Sequence, residues 1–185
     1  MMATYQLALF VIGSAILVYV SRASLRDPRS HGFYRFFAWE FILGLITLNL
    51  EWWFSEPFAW HQIISWVLLV LSIIPVVVGV QLLRKTGKPD EARNDAPMLA
   101  FEKTTALVTS GLYKYIRHPL YSSLLLLAWG VFFKLPSVPG VLLALAATVC
   151  LAATARAEEA ENVRYFGSAY QAYMKRTKMF VPFLF

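Results

Sequence analysis

Gln62-Ile-Ile-Ser-Trp-Val-Leu-Leu-Val-Leu-Ser-Ile-Ile-Pro-Val-Val-Val-Gly-Val-Gln-Leu-Leu83 contains no charged side chain. About 20 apolar residues carry a helix across a bilayer core. The run lacks the alternation of a half-buried strand, and its own backbone bonds would satisfy every polar group in lipid only as a helix. It therefore predicts a membrane helix, with Pro75 as a kink or a cavity marker. Working outward, Thr4–Val20, Phe33–Phe54 and Pro119–Phe133 read the same way, as does Val138–Ala157 after the turn at 134–140. Pro119–Phe133 is short for a crossing, so it must tilt or borrow length from that turn. The expected fold is all-α: a polytopic membrane protein with five transmembrane helices, a C-terminal helical hairpin and a tail helix.

Composition supports that reading. Of 185 residues, 58% are apolar and only 15% charged, and the mean hydropathy is +0.56. A soluble domain has about 25% charged residues to cover itself. The same balance excludes a disordered chain, a collagen-like repeat and a coiled coil. The one cysteine, Cys150, lies inside an apolar run. It excludes a disulfide framework or a cysteine zinc site and reads as a small apolar residue.

The net charge of +6 is a topology signal. Arg22, Arg26, Arg29 and Arg35 follow the first span, and seven basic residues lie between Arg84 and Arg117. Arg156, Arg164, Lys175, Arg176 and Lys178 close the chain. A five-helix path puts all of these on one side and leaves Lys134 alone on the other. Basic loops stay cytoplasmic, so the N-terminus is expected outside and the C-terminus inside, in the inner membrane if the source is bacterial. Anionic headgroups, not nucleic acid, are the expected partners of that charge. The first span has no basic residue before it and is expected to persist as an N-out anchor rather than a signal peptide. Trp52, Trp53, Trp60 and Trp66 mark the outer interface, and Lys85–Pro97 reads as a cytoplasmic linker. The chain divides into residues 1–104, with three spans and a loop, and residues 105–185, a C-terminal core.

Glu40, Gly44, Thr47 and Glu51 share one helical face of the second span. Carboxylates in a membrane usually face protein or water. The stripe reads either as a substrate cavity or proton-handling site, or as a packing face with Glu51 at the interface. His31 and His61 are read as loop residues, with no second ligand at metal spacing.

Chemistry concentrates on the basic side. The run Leu107-Val-Thr-Ser-Gly-Leu-Tyr113-Lys-Tyr-Ile-Arg117-His-Pro-Leu-Tyr121 leads into the hairpin, and Glu158, Glu159 and Glu161 end its other arm. His118-Pro119 suits an extended step into a helix with Pro in the first turn. Free first-turn amides beside an imidazole and Tyr121 could receive a carboxylate. The Glu cluster could hold an ammonium, a ribose hydroxyl or an adenine amino group. Read separately, Arg117-His118 is a headgroup anchor and the Glu cluster a solvated face. On two arms of one hairpin they form a candidate site.

These residues resemble the LVxxGxYxxxRHPxY signature of the isoprenylcysteine carboxyl methyltransferase family and its phospholipid methyltransferase relatives. The run Glu158-Glu159…Phe166-Gly167…Tyr170…Tyr173…Val181-Pro182-Phe183 resembles the family's C-terminal tail. The resemblance implies an integral-membrane methyltransferase using S-adenosylmethionine near the cytoplasmic face. It carries cofactor contact over to Leu107, Val108, Tyr113, His118, Pro119, Leu120, Tyr121 and Glu158. Phe166, Tyr170 and Tyr173 then read as a stripe docking the tail helix and closing the pocket. The family's prenylcysteine members place a substrate-holding Arg one turn before the cofactor-binding Glu, where this chain has Thr154. The nearest basic residue, Arg156, is the candidate for that role although it is offset around the helix. Asn162 also stands where a Leu is usual. The acceptor is expected to be small and amphiphilic or lipidic, entering between helices. A carboxylate or thiolate acceptor needs no base, whereas an amine or hydroxyl does. Glu159 and Glu40 are the catalytic candidates, with Glu161 and His118 as further bases. Phospholipid N-methylation is the alternative acceptor chemistry. A membrane NADPH reductase and a non-catalytic protein on the same scaffold are the other readings.

Overall fold

The computed structural model describes residues 3–90, 93 and 97–182. Six α-helices organise them: α1 Thr4–Ser21, α2 His31–Leu48, α3 Trp60–Thr86, α4 Pro119–Phe132, α5 Val138–Phe166 and α6 Ser168–Arg176. Among the described residues there are only isolated β-bridges and no strand. The all-α expectation holds. By length and composition, α1, α3 and α5 are each long and apolar enough to cross a membrane.

Packing follows from small residues at the helix contacts. α2 runs along α5 and α3 along α4, while α1 lies against α2. Ala38, Ala128, Ala144, Ala147 and Ala155 are fully buried beside Ile42, Leu45, Val131 and Leu151. Short side chains let backbones approach closely, which is how helices gain dispersion contact where lipid offers no hydrophobic contrast. Gly79 of α3 serves the same end: a Cβ there would sit 2.7 Å from Leu120 Cδ1 of α4. Pro75 leaves α3 a single helix of 27 residues.

The second span differs from expectation. α2 ends at Leu48, and a 3₁₀ turn, Leu50–Trp52, follows. Glu51 therefore leaves the face shared by Glu40, Gly44 and Thr47; its Oε1 accepts from Tyr5 hydroxyl at 2.5 Å. Both loop histidines are helical, because His31 opens α2 and His61 lies in the first turn of α3. The tryptophan cluster is split as well. Trp52 and Trp60 are exposed, but Trp66 and Trp53 stack on Lys134, whose Nζ lies 3.6 and 5.3 Å from their ring centroids. Lys134 is fully buried and donates to Gln62 Oε1 at 3.1 Å. Two indole faces and an amide oxygen substitute for water around that ammonium.

Candidate functional site

α5 has 29 residues, and about 20 suffice to cross a bilayer core. Its last turns, from Glu158 to Phe166, thus extend beyond the apolar run. There they meet the start of α4, the 3₁₀ turn Gly111–Lys114 and α6 around one cleft. Backbone bonds set this arrangement. Thr105 and Ala106 N–H donate to the Gly87 carbonyl just past α3, which lays Leu107 and Val108 along the cleft. Gly111 takes φ +58, the left-handed region that a β-carbon resists, and swings the chain into the turn carrying Tyr113. The chain after α6 then pairs with the Arg117-His118 step. Arg117 N–H donates to the Lys178 carbonyl at 2.8 Å and His118 N–H to the Met179 carbonyl at 3.1 Å. Ser122 Oγ adds a bond to the Phe180 carbonyl. The tail is in this way strapped across the N-terminus of α4.

The cleft measures about 610 Å³, counting open solvent at its mouth. Leu107, Val108, Tyr113, His118, Pro119, Leu120, Tyr121 and Glu158 all line it. Phe166, Tyr170 and Tyr173 line it too, and Tyr173 hydroxyl donates to the Tyr113 carbonyl at 2.6 Å. The aromatic stripe both docks α6 and walls the cleft. Tyr121 hydroxyl donates to Glu158 Oε2. The Glu158 side chain keeps 29% exposure, so it can still accept from a ligand.

His118 sits between two carboxylates, with Nε2 at 3.2 Å from Glu159 Oε1 and Nδ1 at 3.7 Å from Glu158 Oε2. Burial alone would lower its pKa; the bonds to Glu158 and Glu159 outweigh burial and raise it above the ordinary 6.5. Its two ring nitrogens thus face, and orient, both carboxylates. Burial, with Glu158 nearby, pushes the Tyr113 phenol well above its usual range, so it stays a donor.

The remaining candidates lie elsewhere. Glu159 is 7% exposed and is not part of the lining. It accepts from Arg117 Nε at 2.6 Å as well as from His118. Glu40 accepts from Ser14 Oγ of α1 at 2.6 Å, and its other oxygen is buried with no partner. Arg156 is exposed on α5, outside the cleft lining. Phe183, last residue of the quoted tail motif, lies outside the described residues, as do residues 91, 92 and 94–96 of the linker-like segment. That segment is anchored where it is described. Arg93 is buried, donates to Asn162 Oδ1 at 2.8 Å and stacks 4.2 Å from the Tyr165 ring centroid. Asn162, the departure from the family pattern, is the acceptor that seats it.

Three lining residues, Leu83, Glu102 and Thr104, escaped sequence reasoning, and one of them is charged. Glu102 lines the cleft from the loop between α3 and α4. Its Oε1 accepts from Arg35 Nη1 at 2.5 Å and its Oε2 from Leu99 N–H at 2.9 Å. His31 Nε2 stands 3.6 Å from Oε2. Behind it, Glu161 accepts from His31 N–H at 2.8 Å and Nδ1 at 2.6 Å, satisfying a first-turn amide of α2. Burial opposes the charge on His31, but Glu102 and Glu161 raise its pKa to about 10. Burial likewise opposes Glu102, and Arg35 with His31 holds its carboxyl below the usual range. The result is an alternating chain, Glu161–His31–Glu102–Arg35, that joins α5, α2 and the loop. No local signal marks it, since its members come from three distant stretches.

The wall chemistry suits a ligand with a planar aromatic part and a cationic or hydroxyl-bearing part. Tyrosines and Phe166 supply ring faces, and Glu158 and Glu102 supply negative charge. The first-turn amide of Leu120 has no carbonyl of its own helix to bond and can receive a carboxylate oxygen. S-adenosylmethionine has each of these parts.

Comparison with known proteins points the same way. The sequence profile of the family described as phospholipid methyltransferase matches residues 60–169. The human protein-S-isoprenylcysteine O-methyltransferase is 30% identical over 150 residues, which cover 78% of this chain and 52% of that protein. The same enzyme of Schizosaccharomyces pombe is 32% identical over 107 residues, 56% of this chain and 45% of its own. Methanethiol S-methyltransferase 2 of Bradyrhizobium diazoefficiens is 38% identical over 76 residues, 40% of this chain and 28% of that one. The chain thus matches about half the length of the isoprenylcysteine enzymes, and less of the thiol enzyme. No solved structure matches it.

Proposed function

The chain belongs to the phospholipid methyltransferase family, and from that premise we propose that it is a membrane methyltransferase using S-adenosylmethionine and an amphiphilic acceptor. One observation carries the reading. Eight residues singled out by motif, from the loop, α4 and the far end of α5, line a single cleft.

When bound, S-adenosylmethionine supplies an electrophilic methyl group on a sulfonium. Glu158, oriented by Tyr121 and His118, would hold its ribose or ammonium group. Leu107, Val108 and the aromatic side chains would enclose its adenine. Arg117 and His118 act behind Glu158 by holding Glu159 and the tail in place. Methyl transfer then needs the acceptor atom held about 3–3.5 Å from the methyl carbon.

Acceptor chemistry follows from the carboxylates. Glu102 and Glu159 are each engaged by an arginine and a histidine, and Glu40 faces α1. None of them is poised to take a proton in the cleft. This favours an acceptor that is already an anion, a carboxylate or thiolate, over an amine. The isoprenylcysteine and methanethiol enzymes are relatives whose names specify acceptors of those two kinds.

The proposed topology has five crossings, with the N-terminus outside and the cleft at the cytoplasmic surface. Its support is the distribution of basic residues, sixteen of the seventeen falling on the cleft side of a five-helix path. Residues 105–185 carry the methyltransferase core, completed by Leu83 and Glu102.

Calorimetric titration of detergent-purified protein with S-adenosylhomocysteine tests the reading. Binding is expected, weakened by His118→Ala and by Tyr113→Ala. Absence of binding, or binding indifferent to both substitutions, overturns it.

A further inference from the structure

Asn162 lines the cleft from α5, one helical turn beyond Glu158 and on the same face of the helix. Four residues of helix carry it about 6 Å further along the axis, a distance that a nucleoside spans between its ribose hydroxyls and its base. Phe166 and Tyr170 border the same cleft, with ring centroids 6.5 Å apart and planes 19° from parallel. Of the two polar side chains that α5 offers here, Glu158 is an acceptor, and Asn162 carries both a donor and an acceptor.

Arg93 decides which of the two faces the ligand. It is buried, lies outside the lining, and donates from Nη2 to Asn162 Oδ1 at 2.8 Å. A guanidinium has donors only, so the amide oxygen must turn toward it and the NH2 group must take the other direction. Arg93 is fixed in its turn. Its Nη1 donates to the Thr104 carbonyl at 2.6 Å, and its guanidinium lies 4.2 and 5.1 Å from the ring centroids of Tyr165 and Phe166. The NH2 side of the amide acts on Tyr170, a residue of the cleft wall. Burial raises the pKa of that phenol, Glu158 and Glu159 add to the rise, and the hydrogen bond with Asn162 works against it. The amide therefore turns its donors, not its acceptor, toward the lining.

We propose that Asn162 reads the nucleobase of the bound cofactor by donating an amide N–H to a ring nitrogen of the adenine, and that Arg93 is the positioning residue that fixes the amide for this task. The proposal rests on the methyltransferase reading for the identity of the cofactor. Ring faces such as those of Phe166 and Tyr170 hold any flat ring. A donor held at the ring edge does more, because it distinguishes a ring nitrogen from a ring C–H. The Leu usual at this position in the family pattern could supply contact but no donor.

The test is calorimetric titration of the full chain in detergent with S-adenosylhomocysteine and with its 1-deaza, 3-deaza and 7-deaza adenine analogues, each of which replaces one ring nitrogen by C–H. The parent is expected to bind one of these analogues about threefold to tenfold more weakly than S-adenosylhomocysteine, the value of one neutral hydrogen bond. Asn162→Asp keeps the oxygen that Arg93 requires and replaces the NH2 group by a second acceptor, whereas Asn162→Leu removes both. In each variant the gap between the two ligands should close to within about twofold. A merely structural loss would weaken every ligand alike and leave the gap open. Arg93→Met frees the amide to turn and should narrow the same gap. No gap in the parent, or gaps that all persist in both Asn162 variants, overturns the assignment and leaves the methyltransferase reading standing. A gap that closes in the Asn162 variants but persists in Arg93→Met overturns the positioning role of Arg93. Failure of the parent to bind S-adenosylhomocysteine overturns the assignment and the methyltransferase reading together.

Discussion

Glu158→Gln and Glu159→Gln change adjacent residues by the same atom, yet the structure assigns them opposite consequences. Glu159 is nearly buried and bonds both Arg117 at 2.6 Å and His118 at 3.2 Å, without lining the cleft. Both bond the same oxygen, Oε1, so a glutamine carbonyl oxygen there still accepts from them but supplies no countercharge. Weakening these charge-assisted bonds costs about 1.5–3 kcal/mol. The ~3–5 kcal/mol seen when a buried pair loses a partner is the ceiling. For a chain of this size 1 kcal/mol corresponds to roughly 2–4 °C, so Glu159→Gln should lower the melting temperature by roughly 3–12 °C. Glu158 has a 29% exposed side chain facing the cleft. Its glutamine still accepts from Tyr121, so the fold should lose little. A ligand hydroxyl or ammonium would lose a charged acceptor, which corresponds to about 10–100-fold in affinity. Differential scanning fluorimetry and calorimetric titration with S-adenosylhomocysteine, on the same detergent preparations, measure both quantities. If Glu158→Gln binds like the parent, or if Glu159→Gln weakens binding more than Glu158→Gln at an unchanged melting temperature, the division of roles is refuted.

Other outcomes follow from the same contacts. Glu161→Leu leaves a buried imidazolium without its closest carboxylate and should destabilise by about 3–5 kcal/mol, read as a fall in melting temperature. A smaller fall is expected for Glu161→Gln, and equal falls would deny the charge a role. Because His31 has its pKa raised from 6.5 to about 10, the folded chain binds a proton that the unfolded chain releases in that interval. Its contribution is complete below pH 6.5 and disappears as pH rises toward 10. Melting temperature should therefore fall across that range, and less steeply in His31→Gln; identical slopes would refute it. Gly111→Ala forces a β-carbon into φ +58 and to 2.6 Å from Leu82 Cδ1, costing about 1–2 kcal/mol for the backbone alone. Arg156→Ala, exposed and away from the cleft, should leave S-adenosylhomocysteine affinity unchanged, and a marked loss would place Arg156 in the site after all.

Helices and motif were legible in the sequence because both are local. A run such as Gln62–Leu83 has one low-energy form in lipid whatever surrounds it. The spacing from Leu107 to Tyr121 encodes a turn and a helix start within one short stretch. The aromatic stripe at Phe166, Tyr170 and Tyr173 could be read as a docking face from its period, although not as a cleft wall as well. Where α2 stops was not legible, since the apolar run continues past Leu48 into the 3₁₀ turn that sends Glu51 to Tyr5.

What the sequence determined by itself was therefore an all-helical membrane chain and most of the residues that line one cleft. Only the tertiary structure decided which charges meet. Arg35 looked like one topology signal among many, and His31 like a loop residue, until α2 packed along α5 and set them between Glu102 and Glu161. Hydrophobicity and turn propensity act over a few neighbouring residues. An ion pair between groups 67 or 130 positions apart forms only where helix packing brings them together and excludes the water that would otherwise separate them.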